Sequence, residues 1–254
     1  MSTFQMVMVV CPLVFLASFI DSIAGGGGLI SIPAFMLTGL PMHVVYGNNK
    51  FSACMGSIVS AIRYYKNGKM HVKSAAISAL LSIVGAAAGT QVNMYLDSDL
   101  LKKIFIFILP VVALMVLFGG STKQRAAMLE GKMLHISCAI IGFAIGMYDG
   151  LIGPGTGTFF IFAYTTIVGF DYVTASGNAK AANLASNLAS VVVYLFAGKI
   201  LFELAVPAAI CSIAGGWIGS GFAIHKGSKF IKAILILVLM GIFTKLIWDL
   251  NLFG

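Results

Sequence analysis

Two short segments of the chain carry a lysine and asparagine amides in apolar surroundings. They read Gly47-Asn48-Asn49-Lys50 and Gly177-Asn178-Ala179-Lys180. Each lysine is predicted near the start of an apolar helix, where the helix dipole is already positive, so a bound anion would stabilise both. The other interpretation is that each lysine extends to a lipid headgroup. The amides favour the anion site, because they offer hydrogen-bond donors to an anion that has lost its water.

A further pair of amides, Asn183 and Asn187, lies four residues apart and therefore on one face of the predicted helix. An amide that faces lipid is costly, so this face is expected to turn towards the protein interior. The corresponding positions of the first half hold Ala53 and Ser57. The two halves are therefore expected to contribute unequally to selectivity.

Two glycine-rich breaks, at 25–28 and 153–157, are the next candidates for binding an anion. The residues concerned are Gly25, Gly26, Gly27, Gly28, Gly153, Gly155, Thr156 and Gly157. Such a break leaves unpaired N–H groups at the start of the following helix, where the dipole also attracts negative charge. Glycine in membrane helices also permits close packing, and that is the interpretation preferred for Gly85, Gly89, Gly215 and Gly219.

Two acids, Asp21 and Asp149, precede the two breaks by four residues each. Each is a candidate to carry a coupling proton, to orient the broken segment or to cap the helix that follows. A structural role is favoured, because no histidine or second acid lies nearby in sequence to form a relay. The cysteines are isolated, so neither a disulfide nor a metal site is expected.

The composition of the chain predicts that these residues lie in a membrane protein. The chain has 254 residues, of which 59% are hydrophobic and 9% charged, and its mean hydropathy is +1.01. Soluble domains carry charge on roughly a quarter of their residues, so an all-α polytopic membrane protein embedded in a lipid bilayer is predicted. The net charge of +8 is attributed to membrane topology and not to nucleic acid.

The chain repeats itself after a shift of 130 positions. The shift superimposes the segment at Gly47 on that at Gly177, and it also brings Tyr64 onto Tyr194. A duplicated unit is therefore predicted, with a first repeat over 1–120, a linker over 121–132 and a second repeat over 133–254. The two tyrosines are predicted to be interface anchors at helix ends.

Basic residues predict that the two repeats are inverted. They concentrate in loops near 63–73, 123–132 and 226–232, which are therefore expected in the cytoplasm. With these loops fixed, each repeat contains about five helical elements, ten in total, and the segments 29–39 and 157–169 are short enough to span only half the membrane. A parallel arrangement of four plus four helices is the alternative.

Taken together, these motifs resemble the sulfite exporter TauE/SafE family of membrane permeases. The resemblance is carried by the break and downstream proline at 25–33, Gly-Leu-Pro at 39–41, the segment ending at Lys50, and Arg63-Tyr64 followed by Gly68-Lys69. The second break and the segment ending at Lys180 extend it over nearly the whole chain. The resemblance implies transport of small sulfur-containing or organic anions across the bacterial cytoplasmic membrane.

The sequence and the resemblance together predict a secondary transporter for a small anion such as sulfite, thiosulfate or sulfoacetate, working by alternating access. The alternatives are an anion channel, a permease for a non-sulfur organic anion and a membrane enzyme, the last disfavoured because no catalytic cluster is evident. No cofactor is expected. The sequence leaves open the exact substrate, the direction of transport, the coupling ion and any assembly into a homo-oligomer.

Overall fold

All regular structure in the described part of the chain is helical. The computed structural model describes residues 1–119 and 127–251, with side chains described over 1–108 and 127–226. The α-helices are α1 (Thr3–Ala24), α2 (Gly28–Met36), α3 (Met42–Lys66), α4 (Val72–Tyr95), α5 (Ser98–Gly119), α6 (Gly131–Leu151), α7 (Thr156–Ala163), α8 (Tyr172–Phe196) and α9 (Phe202–Asn251). Lys123 and Arg125 of the predicted linker lie outside the described residues.

Within the residues whose side chains are described, five segments are long and apolar enough to cross a membrane, and the chain is a multi-pass membrane protein. They are α1, α4, α6, α8 and the part of α9 over Phe202–Lys226. Helix α3 is as long as these but is not among them, because amides, serines and basic residues interrupt its apolar sequence. Its polar residues are mostly buried inside the protein.

Both predicted glycine breaks are confirmed. Gly25 ends α1 at φ +82°, and Gly153 and Gly155 separate α6 from α7 at φ +89° and +78°. These angles lie in the left-handed region, which only glycine adopts without a steric penalty. Helix α2 has nine residues, about 14 Å, and therefore reaches through roughly half of the hydrocarbon core. Helix α7 continues through a π-helical turn at Tyr164–Val168, which extends the second short segment.

The second half has one element fewer than predicted. Helix α9 runs without interruption over 50 residues, where the last two of the five predicted elements of the second repeat were expected. In the first half the corresponding junction is capped by Asp97, whose Oδ1 accepts a hydrogen bond of 2.7 Å from the Leu100 N–H. The position equivalent to Asp97 is Gly227, which has no side chain to cap a new helix, and one glycine costs only about 1 kcal/mol in a helix.

The long helices pack as two bundles that each combine both halves of the sequence. Helix α1 packs along α9, which also contacts α3, while α6 packs along α4, which also contacts α8. We call the first set (α1, α3, α9) bundle A and the second set (α4, α6, α8) bundle B. Helices α3 and α8 form the main contact between them.

The glycines predicted to serve packing do so. A Cβ added at Gly85 or Gly89 of α4 would overlap the carbonyl oxygens of Phe143 or Met147 on α6. Gly215 and Gly219 of α9 meet the carbonyl oxygens of Phe15 and Phe19 on α1 in the same way. Backbone contact at glycine therefore brings each pair of helices together.

The prediction that Tyr64 and Tyr194 are interface anchors is wrong. Both side chains are fully buried. The Tyr64 hydroxyl donates to the Ser22 carbonyl at 2.9 Å, and the Tyr194 hydroxyl donates to Asn93 Oδ1 at 2.8 Å. Since buried hydroxyls need partners, each tyrosine fixes the end of its helix to a neighbouring helix inside the protein.

We expect Gly89→Val to destabilise the protein by about 1–3 kcal/mol, because the added side chain overlaps the α6 backbone. Thermal unfolding in detergent micelles measures the effect. The matched control is Ala88→Val, at the exposed neighbouring position of the same helix. Equal unfolding midpoints for the two variants would contradict glycine-mediated packing at this contact.

Candidate functional site

A cavity of about 40 Å³ lies where the two glycine breaks meet, with room for a few water molecules. Ten of the predicted binding residues line it: Gly25, Gly27, Gly28, Asn49, Lys50, Gly153, Thr156, Gly157, Asn183 and Asn187. Both predicted acids, Asp21 and Asp149, line it as well. The predicted residues Gly26, Asn48, Gly155, Asn178 and Lys180 do not line the cavity.

The two breaks touch each other at the cavity. The Thr158 N–H donates to the Gly25 carbonyl at 3.1 Å, and the Thr158 hydroxyl donates to the Ala24 carbonyl at 2.9 Å. A Cβ at either Gly25 or Gly157 would overlap the backbone of the other. The first residues of α2 and α7 therefore both border the cavity, and each helix directs the positive end of its dipole towards it.

A buried ion pair joins Lys50 of α3 to Asp149 of α6. The Lys50 Nζ lies 2.8 Å from Asp149 Oδ2 and also donates to the Asp149 carbonyl at 2.6 Å. The Ser186 hydroxyl donates to the same carboxylate oxygen at 2.6 Å. The lysine and aspartate side chains are only 2% and 3% exposed. Each charge therefore has a partner despite the loss of water.

The reciprocal ion pair joins Lys180 of α8 to Asp21 of α1. Asp21 Oδ1 also accepts a hydrogen bond of 3.1 Å from the Gly27 N–H at the start of α2. This hydrogen bond joins the last turn of α1 to the start of α2. The Asp21 side chain is 20% exposed, and it lies between Lys180 and the cavity.

These pairs supply the negative charge that the two lysines need. Lys50 lies nine residues into α3 and Lys180 nine residues into α8, so both are deeper in their helices than predicted. The reason is the start of each helix, at Pro41 and at Asp171, whose carboxylate accepts from the Val173 N–H at 2.9 Å. Neither lysine reaches the membrane surface, since both are almost fully buried.

The amides on the cavity wall form a short polar row. Asn187 Nδ2 donates to Asn183 Oδ1 at 3.1 Å, so the predicted shared face is confirmed. Ser57, the first-half counterpart of Asn187, donates to the same oxygen at 3.4 Å. Opposite them, the Ser31 hydroxyl donates to Asn49 Oδ1 at 2.6 Å.

Asn48 and Asn178 were predicted to bind an anion. In the structure the side chain of each accepts a hydrogen bond from a loop of the other half. Asn48 Oδ1 accepts from the Leu201 N–H at 2.9 Å, and Asn178 Oδ1 accepts from the His71 N–H at 3.0 Å. The glycine before each asparagine leaves room for a carbonyl of the same loop. The Gly-Asn dipeptide of each motif therefore clamps a loop.

Sequence reasoning missed several small polar residues of the wall. They are Ser18, Ser31, Ser52 and Ser212. Helical spacing offered a signal for the first two, since Ser18 lies one turn before Asp21 and Ser31 lies one turn after the first break. For Ser212 the sequence offers no comparable signal, because its helix reaches the cavity only through packing between the halves.

The chain matches a known protein family over nearly its whole length. The model of the sulfite exporter TauE/SafE family matches residues 10–246. The chain belongs to the TauE/SafE family. It is 35% identical to the probable membrane transporter protein ORF9 of Sinorhizobium, over 92% of this chain and 90% of that protein. No solved structure matches the chain significantly.

Two further relatives agree with this assignment. The probable membrane transporter protein YfcA of Escherichia coli K12 is 30% identical over 98% of this chain and 95% of that protein. A probable membrane transporter protein of Haemophilus influenzae is 31% identical over 92% of both. This TauE/SafE chain is therefore a membrane transporter, and the family and its named members indicate transport rather than catalysis.

We expect Lys180→Met alone to destabilise the protein by about 3–5 kcal/mol, because it leaves the Asp21 carboxylate largely buried and unpaired. The double variant Asp21→Asn/Lys180→Met should recover most of that loss, since the amide still accepts from the Gly27 N–H. Unfolding in detergent, measured as a double-mutant cycle, tests this coupling. Lys66→Met is the control at an exposed lysine, and additive single effects would contradict the pair.

Proposed function

We propose that this protein is a secondary transporter for a small sulfur-containing anion, such as sulfite, thiosulfate or an organosulfonate like sulfoacetate. The observation that carries the proposal is the cavity between the two short helices, with Lys50 and asparagine side chains on its wall. The family name supplies the substrate class. The bacterial cytoplasmic membrane is the proposed location, with the basic loops facing the cytoplasm.

The cavity offers three kinds of positive or donor group to an oxyanion. They are the Lys50 ammonium group, the backbone N–H groups at the starts of α2 and α7, and the amides of Asn183 and Asn187, all of which line the cavity. A sulfur oxyanion has several acceptor oxygens and can use donors from different directions at once. These contacts would replace the water that the anion loses on entering.

The charges of the site make binding competitive. Asp21, Lys50, Asp149 and Lys180 sum to zero, so an entering anion shares or takes over a lysine that a carboxylate already holds. Such exchange keeps each lysine paired, and the displaced carboxylate keeps its remaining donor, the Gly27 N–H at Asp21 or the Ser186 hydroxyl at Asp149. We propose that both acids act structurally, holding the lysines in place while the cavity contains no anion.

Bundles A and B are the proposed moving bodies for alternating access. The cavity lies between them, and both ion pairs cross from one bundle to the other. Rocking of one bundle against the other would expose the cavity to each side in turn, as in transporters built from inverted repeats. Because each bundle contains helices from both halves, the moving bodies differ from the sequence repeats.

Exchange in proteoliposomes tests this function. We expect vesicles loaded with unlabelled sulfite, thiosulfate or sulfoacetate to accelerate uptake of at least one labelled member of the set. Empty vesicles and protein-free liposomes are the controls. Uptake that does not respond to the internal anion would indicate a channel, since channels do not show counterflow. No flux above the protein-free control would overturn the sulfur-anion assignment.

We expect Lys50→Gln and Lys180→Gln to weaken anion exchange by about tenfold or more each, the value of one hydrogen bond to a charged group. Lys66→Gln, at an exposed loop position, should leave the KM for exchange close to that of the unmodified protein. Each lysine variant is also made together with the asparagine variant of its partner acid, Asp149→Asn or Asp21→Asn, so that the loss of the ion pair is separated from the loss of anion binding. Equal effects at all three positions would contradict a lysine-based site.

A further inference from the structure

A second concave surface lies outside the transport cavity, at the end of α3 where it crosses α9. It is a groove of about 380 Å³ on an exposed side of bundle A. Trp217 and Phe222 form its apolar wall and are 53% and 44% exposed. Arg63, His225 and Lys226 form its polar end, and the latter two side chains are exposed.

Arg63 is held in the groove by contacts that include no carboxylate among the described side chains. Its guanidinium lies over the Trp217 ring, 4.4 Å from the centroid, and donates to the Trp217 carbonyl. A Cβ at Gly221 would overlap that guanidinium, so the glycine makes room for it. In the part of the chain with described side chains, carboxylates pair only with Lys50 and Lys180.

Lys226 adds a second positive charge beside Arg63, next to the His225 ring. His225 Nδ1–H donates to the Gly221 carbonyl at 2.7 Å, which leaves Nε2 as the other ring nitrogen at the groove. Lys226 follows it directly, so Arg63 and Lys226 place two cationic side chains at one end of an apolar surface. An anionic group attached to apolar chains complements this arrangement.

The charged groove is specific to one half of the protein. The position equivalent to Arg63 is Val193, and those equivalent to Trp217, Gly221 and Lys226 are Ala87, Gln91 and Leu96. The basic residues of the groove are therefore not a feature that both repeats share. The aromatic residue and the basic side chains lie near the basic loop after α3, where a membrane–water interface is expected.

We propose that this groove binds an anionic phospholipid, with its phosphate between Arg63 and Lys226 and its acyl chains along Trp217 and Phe222. Basic pockets between membrane helices bind anionic headgroups in this manner. Arg63 supplies two directed donors to a phosphate, and the aromatic wall covers the glycerol and upper acyl region. The lipid would thereby join α3 to α9 at the membrane surface.

Quenching of Trp217 fluorescence by brominated lipids tests the proposal. The chain has two tryptophans, so Trp248→Phe leaves Trp217 as the single reporter. The vesicles consist of phosphatidylcholine with a fixed mole fraction of one brominated lipid. We expect brominated phosphatidylglycerol to quench Trp217 with a higher apparent affinity than brominated phosphatidylcholine does, and each basic residue of the groove should contribute about fivefold to that preference. Lys226→Gln should reduce that preference about fivefold and leave quenching by phosphatidylcholine unchanged.

Two further variants separate charge from packing. Arg63→Gln should lose the preference, whereas Arg63→Lys, which keeps the charge, should retain most of it. Lys102→Gln/Lys103→Gln, at exposed lysines of α5, is the matched control and should change nothing. Equal quenching by the two lipids in the unmodified protein would overturn the proposal. Relief of quenching by millimolar inorganic phosphate would also overturn it, because the groove would then bind a free anion.

Discussion

Two lysine–aspartate pairs join bundle A to bundle B, and in each pair the two residues lie far apart in the sequence. Lys50 belongs to bundle A and pairs with Asp149 of bundle B, while Lys180 of bundle B pairs with Asp21 of bundle A. In a low-dielectric interior each charge without its partner would be strongly destabilising. The bundles must therefore meet in a register that satisfies both pairs, and this register also brings the two glycine breaks together.

Glycine makes that register sterically accessible. Gly85 and Gly89 allow α4 to contact α6 through their backbones, and Gly215 and Gly219 do the same for α9 and α1. Each contact joins a helix of one half to a helix of the other, so neither half forms its bundle alone. The acids are carried by α1 and α6, the helices that these glycines position. Close packing and charge pairing are therefore parts of one constraint.

Local signals in the sequence predicted the elements that depend on local chemistry. The breaks at Gly25 and Gly153 require left-handed backbone, and the repeated glycines of α4 and α9 indicate helix contact. The pairing of the charges was not predictable in this way, because the partners are 99 and 159 positions apart. Helical periodicity shows which residues share a face, but it does not show which other helix packs against that face. The lysines were recognised as requiring negative charge, but that charge is supplied by the protein itself.

The same limit explains the asparagines. Asn48 and Asn178 lie in motifs that contain a lysine of the ion pairs, yet each accepts from a loop N–H of the opposite half. Only the fold reveals that the helix face carrying the asparagine differs from the face carrying the cavity residues. The continuity of α9 depends on an absent cap at Gly227, which is visible in the sequence only when it is compared with Asp97 of the other repeat.

The two ion pairs are equivalent by position but not by environment, and the difference bears on how the proposed anion would enter. Asp149 is buried and also receives the Ser186 hydroxyl, whereas the residue equivalent to Ser186 in the first half is Gly56, which has no hydroxyl. Asp21 is instead held by the Gly27 N–H at the start of α2, and its side chain is partly exposed beside the cavity. The Lys180–Asp21 pair is thus the less restrained of the two. If an anion displaces a carboxylate from a lysine, the displacement requires less rearrangement at Lys180 than at Lys50. Because Asp21 is hydrogen-bonded to the Gly27 N–H, a movement of Asp21 would also move the start of α2.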